Sequence, residues 1–208
     1  MTISRRSFIQ GSALSALGMA AGIAPKFSLA ADAKEAIKVA SILDLSGGLD
    51  IYGKPMSDAI NLAAEEINAA GGLLGRPVQV INYDAQSNMQ LYAQYAQQAA
   101  LKDKVAVVHG GITSASREVI RPVLDRFRSL YFYPAQYEGG VCDRNYFSSA
   151  STPAQTVEKL VPYAMKKWGK KVYILAADYN YGQIVSAWVK KFVKENDGET
   201  VAVEFFPL

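Results

Sequence analysis

From Ile37 onward, short apolar runs alternate with stretches in which apolar residues recur every three or four positions. Residues 37–43 read as a strand, apolar with a β-branched bias. Met56, Ile60, Ala63, Ala64 and Ile67 fall at helical spacing and predict a helix over 54–70, stopped by Gly71-Gly72. The pattern then predicts a strand over 77–83 and a helix from a Ser87 or Asn88 cap to about Lys102. A buried strand follows over 105–109. Ser114 or Ser116 opens a helix to about Arg128, and residues 130–133 form a strand halted by Pro134. A second series begins with a short strand over 145–149. Thr152-Pro153 starts a helix ending near Trp168-Gly169, because proline loses nothing in a first turn. A strand over 172–176, a helix over 183–196, an Asp197-Gly198 turn and a strand over 200–206 complete it.

Strands separated by helices of this length imply βαβ units and parallel sheets with helices on both faces. The fold expected is α/β, with two doubly wound parallel-sheet lobes. The first lobe spans 31–150 with about four strands. The second, 151–208, has two or three strands, fewer than a doubly wound sheet needs. That count predicts a fragment or a truncated product.

The first thirty residues follow a different logic. Arg5-Arg6 precede a soft apolar run over 11–24, and Ser28-Leu29-Ala30 offers a small-residue cleavage site. This is the pattern of an export signal, and the Ser-Arg-Arg-x-Phe context favours the twin-arginine route. The apolar run is shorter than the ~20 residues of a spanning helix. No cysteine stands at the cleavage site, so a lipid anchor is not indicated. The expected product is soluble and periplasmic. The formal charge of +3 is carried by Arg5, Arg6 and Lys26, leaving a mature chain near neutrality. Such a chain has no electrostatic case for nucleic acid. One cysteine, Cys142, cannot form an internal disulfide, and one histidine, His109, argues against a zinc site. No metal or cofactor is expected.

Ligands of open parallel sheets gather at the carboxyl ends of strands. The loop after the third strand, Gly110-Gly111-Ile112-Thr113-Ser114-Ala115-Ser116, is the sharpest candidate. Its glycines let the backbone approach a ligand, and Thr113 and Ser114 sit where a helix start favours an anion or carbonyl oxygen. Plain helix capping is the competing reading. Tyr137, Tyr179 and Tyr181 lie in loops expected to face one cleft, where rings with hydroxyl tips suit a small planar polar solute. Asp44, Asp84 and Asp178 end strands, a position where helix capping is the commoner role. Catalysis has little support. Ser114 lacks a nucleophile elbow, His109 ends a strand expected to be buried, and no glycine-rich phosphate loop is present.

Two sets of residues carry a family resemblance. Ala63-Ala64-Glu65-Glu66-Ile67-Asn68, followed by Gly71-Gly72-Leu73-Leu74-Gly75-Arg76-Pro77, resembles the first lobe of type I periplasmic binding proteins. These are the solute-binding components of ABC importers of the branched-chain amino acid class. Thr113-Ser114-Ala115-Ser116-Arg117 and Tyr133-Pro134-Ala135-Gln136-Tyr137-Glu138-Gly139 resemble the urea- and short-chain-amide-binding branch. The resemblance covers residues 37–208, and members of the family continue beyond that point. It implies two lobes closing on a solute at a hinge, with binding roles for Ser114, Tyr133, Tyr179 and Tyr181. Ala135, where amide binders can carry a hydroxyl, and Gly182-Gln183, more like amino-acid binders, leave the ligand open. An amino acid would need a carboxylate for its ammonium, from Asp178 or from elsewhere.

The expected function is capture of a small polar solute, urea or a short-chain amide first and a branched-chain or other amino acid as the alternative. Delivery would be to an ABC membrane permease, without chemistry. An amide-sensing regulator of the same fold would lack the export signal. An amide hydrolase would need a base within reach of Ser114.

Overall fold

The computed structural model describes residues 34–207; the export signal expected over 1–30 lies outside them. The element order is β1 (Ile37–Leu43), α1 (Asp50–Ala69), β2 (Val78–Asp84), α2 (Met89–Leu101), β3 (Val107–Gly110), α3 (Ser114–Arg126), β4 (Leu130–Tyr133) and β5 (Tyr146–Ser148). After these come α4 (Val157–Trp168), β6 (Lys171–Ala177), α5 (Asn180–Glu195) and β7 (Glu199–Phe206). β1 to β5 form one parallel sheet in the order β2-β1-β3-β4-β5, and β6 pairs with β7 in a second parallel sheet. The α/β expectation holds.

Each strand's alternation sets its faces. Ala40, Ile42, Val108, Tyr131 and Tyr133 turn inward against Tyr92, Ala96 and Ala99 of α2 and Ile120 and Leu124 of α3. α1 packs on β1 and β2. A smaller core under the second sheet joins Val161 and Met165 of α4 to Phe192 and Val193 of α5. In the first sheet the strand order reverses between β1 and β3, β2 lying to one side of β1 and β3 to the other, which leaves a crevice at their carboxyl ends.

Three expectations are corrected. β5 belongs to the first sheet, where it pairs with β4, so that sheet has five strands rather than four and the second has two. α1 begins at Asp50, four residues before the expected start. Gly53, just outside the expected helix, lies within it, against the backbone of Asp44 at the end of β1. Residues 152–156 form a turn instead of the first turn of α4. There the Thr156 N–H bonds to Thr152 O and the Glu158 N–H to Pro153 O, a slip in register before the regular helix starts at Val157.

Gly53 and Gly182 occupy equivalent places. Each sits in the first turn of the helix after a strand, against that strand's last backbone. A methyl group at Gly53 would collide with the carbonyl of Asp44, and one at Gly182 with that of Ala177. In an exposed helix, glycine to alanine stabilises by about 1 kcal/mol. Here the collision dominates, and Gly53→Ala is expected to destabilise the fold by about 1–3 kcal/mol in urea denaturation.

Candidate functional site

The carboxyl ends of β1, β3, β4 and β6 converge on a cleft of ≈ 930 Å³. This is within the usual size of small-molecule sites. One wall is α1, through Tyr52, Met56, Ala59 and Ile60, with Leu49 ahead of it. The floor is His109, Ile112, Thr113 and Ser114. The β4 exit gives Tyr133, Pro134, Ala135 and Gln136, and Ala150 lies on the connection between the sheets. Tyr179 and Tyr181 come from the second sheet, their rings stacked with centroids 6.0 Å apart. The wall is mostly apolar. Its polar groups are hydroxyls, one amide and one imidazole, and no carboxylate, lysine or arginine among the described residues lines it. No cluster of metal-ligating side chains occurs among the described residues.

The β3–α3 loop resolves the choice between capping and binding. Thr113 caps α3: its Oγ1 accepts the Ser116 N–H at 3.1 Å, and the Ser116 hydroxyl accepts the N–H groups of Ile112 and Thr113. Ser114 is not the cap. Its hydroxyl donates to Glu138 Oε2 at 2.8 Å, and its side chain is buried at 1% exposure. The N–H groups of Ser114 and Ala115 have no acceptor among the described residues. Both lie in the first turn of α3, at its positive end, and Ser114 lines the cleft floor.

Beneath this floor lies a buried ion pair. Arg117 Nη2 and Nη1 donate to Glu138 Oε1 and Oε2 at 2.6 and 2.9 Å, and Nε donates to Glu118. The guanidinium is flanked by the rings of Tyr133 and Tyr137, each centroid 5.2 Å from Cζ. Burial alone would raise the Glu138 pKa, but the bonds from Arg117 and Ser114 win and hold it below the usual carboxylate range. Glu138 is therefore ionised yet already paired. The Glu138 carbonyl also accepts the indole N–H of Trp188 in α5 at 3.1 Å.

Of the six sequence-expected residues, five line the cleft: Thr113, Ser114, Tyr133, Tyr179 and Tyr181. Tyr137 does not. Its ring packs on Arg117 and Tyr146, and its hydroxyl bonds to the backbone of Val141. Tyr133 donates to Ile112 O and Tyr181 to Gln136 Oε1. Burial raises the pKa of Tyr133, Tyr179 and Tyr181, so all three are neutral. The strand-end aspartates join neighbouring loops: Asp44 accepts the Ser87 N–H, and Asp84 accepts those of Leu45 and Ser46. Asp178 accepts from Gln183 and does not line the cleft.

Sequence reasoning set His109 aside as the end of a buried strand, and gave no role to Arg117, Glu138 or the α1 wall. Tyr52, Met56 and Ile60 at spacing four form a visible stripe, but it faces the cleft and not the sheet. His109 is half-buried on the floor, its Nδ1 without a partner among the described residues, and burial lowers its pKa.

Residues 36–208 match the periplasmic binding protein family. The chain belongs to that family. It is 25% identical over 207 residues to the Leu/Ile/Val-binding protein homolog 7 of Brucella abortus (strain 2308), an alignment covering 94% of this chain and 50% of that protein. Among solved structures, it is similar to the branched-chain amino acid transporter substrate-binding protein of Streptococcus pneumoniae in complex with isoleucine. That match has TM-score 0.71 and 26% identity over 83% of this chain and 50% of the other. A solute-binding protein of an ABC transporter from Rhodopseudomonas palustris BisB5, in complex with 3,4-dihydroxybenzoic acid, shares the fold with TM-score 0.73. It is 23% identical over 83% of this chain and 47% of its own. These relatives are binding proteins, not enzymes, and the chain spans about half their length. No helix among the described residues is long and apolar enough to cross a membrane.

Two outcomes follow for this periplasmic binding protein. Arg117→Met strands a buried carboxylate and should cost roughly 3–5 kcal/mol in urea denaturation, while Arg117→Met/Glu138→Met should recover most of that loss. His109 has a folded pKa below its ordinary 6.5, so it supports the fold above that value and loses that support as pH falls. Urea midpoints measured across this range should fall on acidification, and less steeply in His109→Asn.

Proposed function

We propose that the chain forms the solute-gripping cleft of an exported binding protein that delivers a small organic solute to an ABC permease. Residues 1–30 act as its twin-arginine export signal, 31–150 as the first lobe and 151–208 as part of the second. The solute is uncharged or zwitterionic with an apolar body, of the branched-chain amino acid kind. The observation that carries this reading is the cleft itself. It is apolar-walled, floored by the open N-terminus of α3 and shared between the two sheets. Isoleucine in the pneumococcal relative agrees with it. Ser114, with the loop N–H groups, takes the polar head. Thr113 shapes the loop, and Tyr133, Tyr179 and Tyr181 cover the body. Tyr137 serves by holding Arg117. Closure of the lobes around the solute presents the permease with a changed surface.

A short-chain amide or urea is the second reading, and the uncharged polar lining favours it. Without a carboxylate on the wall, an amide loses nothing, whereas an ammonium must find its acceptors among neutral oxygens. Calorimetric titration of the full-length protein with leucine, isoleucine, valine, propionamide and urea tests both readings. At least one solute should bind with Kd below about 0.1 mM, and Tyr179→Ala should weaken it at least about tenfold. No binding across the panel would overturn the proposal.

A further inference from the structure

The cleft floor has a hydrogen-bond polarity that its composition does not reveal. Ser114 Oγ lies 2.8 Å from Glu138 Oε2. That carboxylate takes both donors of Arg117 and has no proton to give. The serine must therefore donate. A hydroxyl has a single hydrogen, so Ser114 Oγ keeps only lone pairs for any other partner. Ser114 lines the cleft and Glu138, fully buried behind it, does not. The N–H of Ser114 stands beside this oxygen in the cleft, and neither it nor the N–H of Ala115, next along the first turn of α3, has an acceptor among the described residues. The floor thus offers an acceptor next to donors.

We propose that Glu138 fixes this polarity, so that the cleft selects solutes carrying an N–H donor beside a carbonyl oxygen and rejects those offering oxygen alone. The inference rests on the cleft being the solute site, and it names the class: primary amides, ureas and α-amino acids, against plain carboxylic acids. An amide sets its oxygen on the loop N–H groups and its N–H on Ser114 Oγ. In an α-amino acid the ammonium takes the N–H part. A plain carboxylate satisfies the loop N–H groups, but its second oxygen then faces the serine lone pairs. Sites built to hydrogen-bond a particular group discriminate strongly against analogues lacking it, because a buried polar atom is left unpaired. Glu138 is a positioning residue in this scheme and touches no solute. A free serine hydroxyl would rotate to donate to either kind of ligand.

The test uses two matched pairs, propionamide against propionate and leucine against 4-methylpentanoate. Each is titrated calorimetrically into the full-length protein and its variants, with thermal unfolding run alongside. The wild type should favour the N–H-bearing member by at least about tenfold, and whichever pair binds separates an amide solute from an amino acid. Ser114→Ala leaves the ion pair intact and should shrink the ratio mainly by weakening the N–H-bearing member. Arg117→Met/Glu138→Met frees the hydroxyl and should shrink it by strengthening the acid. A wild-type ratio near one, or a ratio unchanged in Ser114→Ala, overturns the inference while leaving the solute site standing. If the double variant does not fold, the Ser114→Ala ratio alone decides. A wild type that binds none of the four probes overturns the inference, and one that also fails to bind isoleucine, valine and urea overturns the proposed function with it.

Discussion

The arrangement of the cleft depends on the bidentate pair between Arg117 and Glu138. Both side chains are out of water, at 2% and 0% exposure. Desolvating two ions costs several kcal/mol each, and attraction offsets this only when the remaining donors and acceptors are satisfied. Here they are. Arg117 also bonds Glu118 and lies between two aromatic rings, while Glu138 accepts from Ser114. Well-packed apolar residues in the same space would often do as well for stability. The charges are therefore most informative for what they organise. They fix the first turn of α3 to the segment leaving β4. Through the Glu138 carbonyl and Trp188, that segment is also tied to α5 above the second sheet.

The two sheets use one local solution to bring loops together at a strand end. A helix must start almost on top of the strand it follows, and a residue without a side chain makes room. Gly53 does this after β1 and Gly182 after β6. The approach of α1 places Tyr52, Met56 and Ile60 along the cleft. The approach of α5 brings Tyr179 and Tyr181 to the same cleft. Packing of helix on strand and formation of the cleft are thus the same event, and an added methyl group at either glycine would disturb both.

Much of the fold is legible because apolar periodicity changes sharply between strand and helix. β1 and β4 fall where the pattern places them, as does the Asn88 cap of α2. The misplacements have physical causes. The apolar spacing starts the first helix at 54, because the glycine just before it usually breaks helices, while Gly53 in fact serves close packing inside α1. β5 has three residues, too few for alternation to reveal which sheet pairs with it. The strand-end rule finds Thr113, Ser114, Tyr179 and Tyr181, and the family resemblance adds Tyr133; Tyr137 is misplaced, because residues 134–140 are irregular and spacing there carries no direction. Arg117 and Glu138 are hidden for a different reason. Charged residues read as surface, and a pairing across 21 positions leaves no local trace.

The polar groups of the floor also show why so plain a loop can be selective. Seven residues, 110 to 116, bring several backbone donors to one helix start, yet most are already committed. The Gly111 N–H goes to Ile42, those of Ile112 and Thr113 go to the Ser116 hydroxyl, and that of Ser116 goes to Thr113. Only the N–H groups of Ser114 and Ala115 remain open among the described residues. The capping box therefore does more than start α3: it removes donors that would otherwise bond any oxygen from any direction. In an apolar-walled cleft where water competes poorly, two donors and one oriented acceptor are a stricter filter than a larger and freer set.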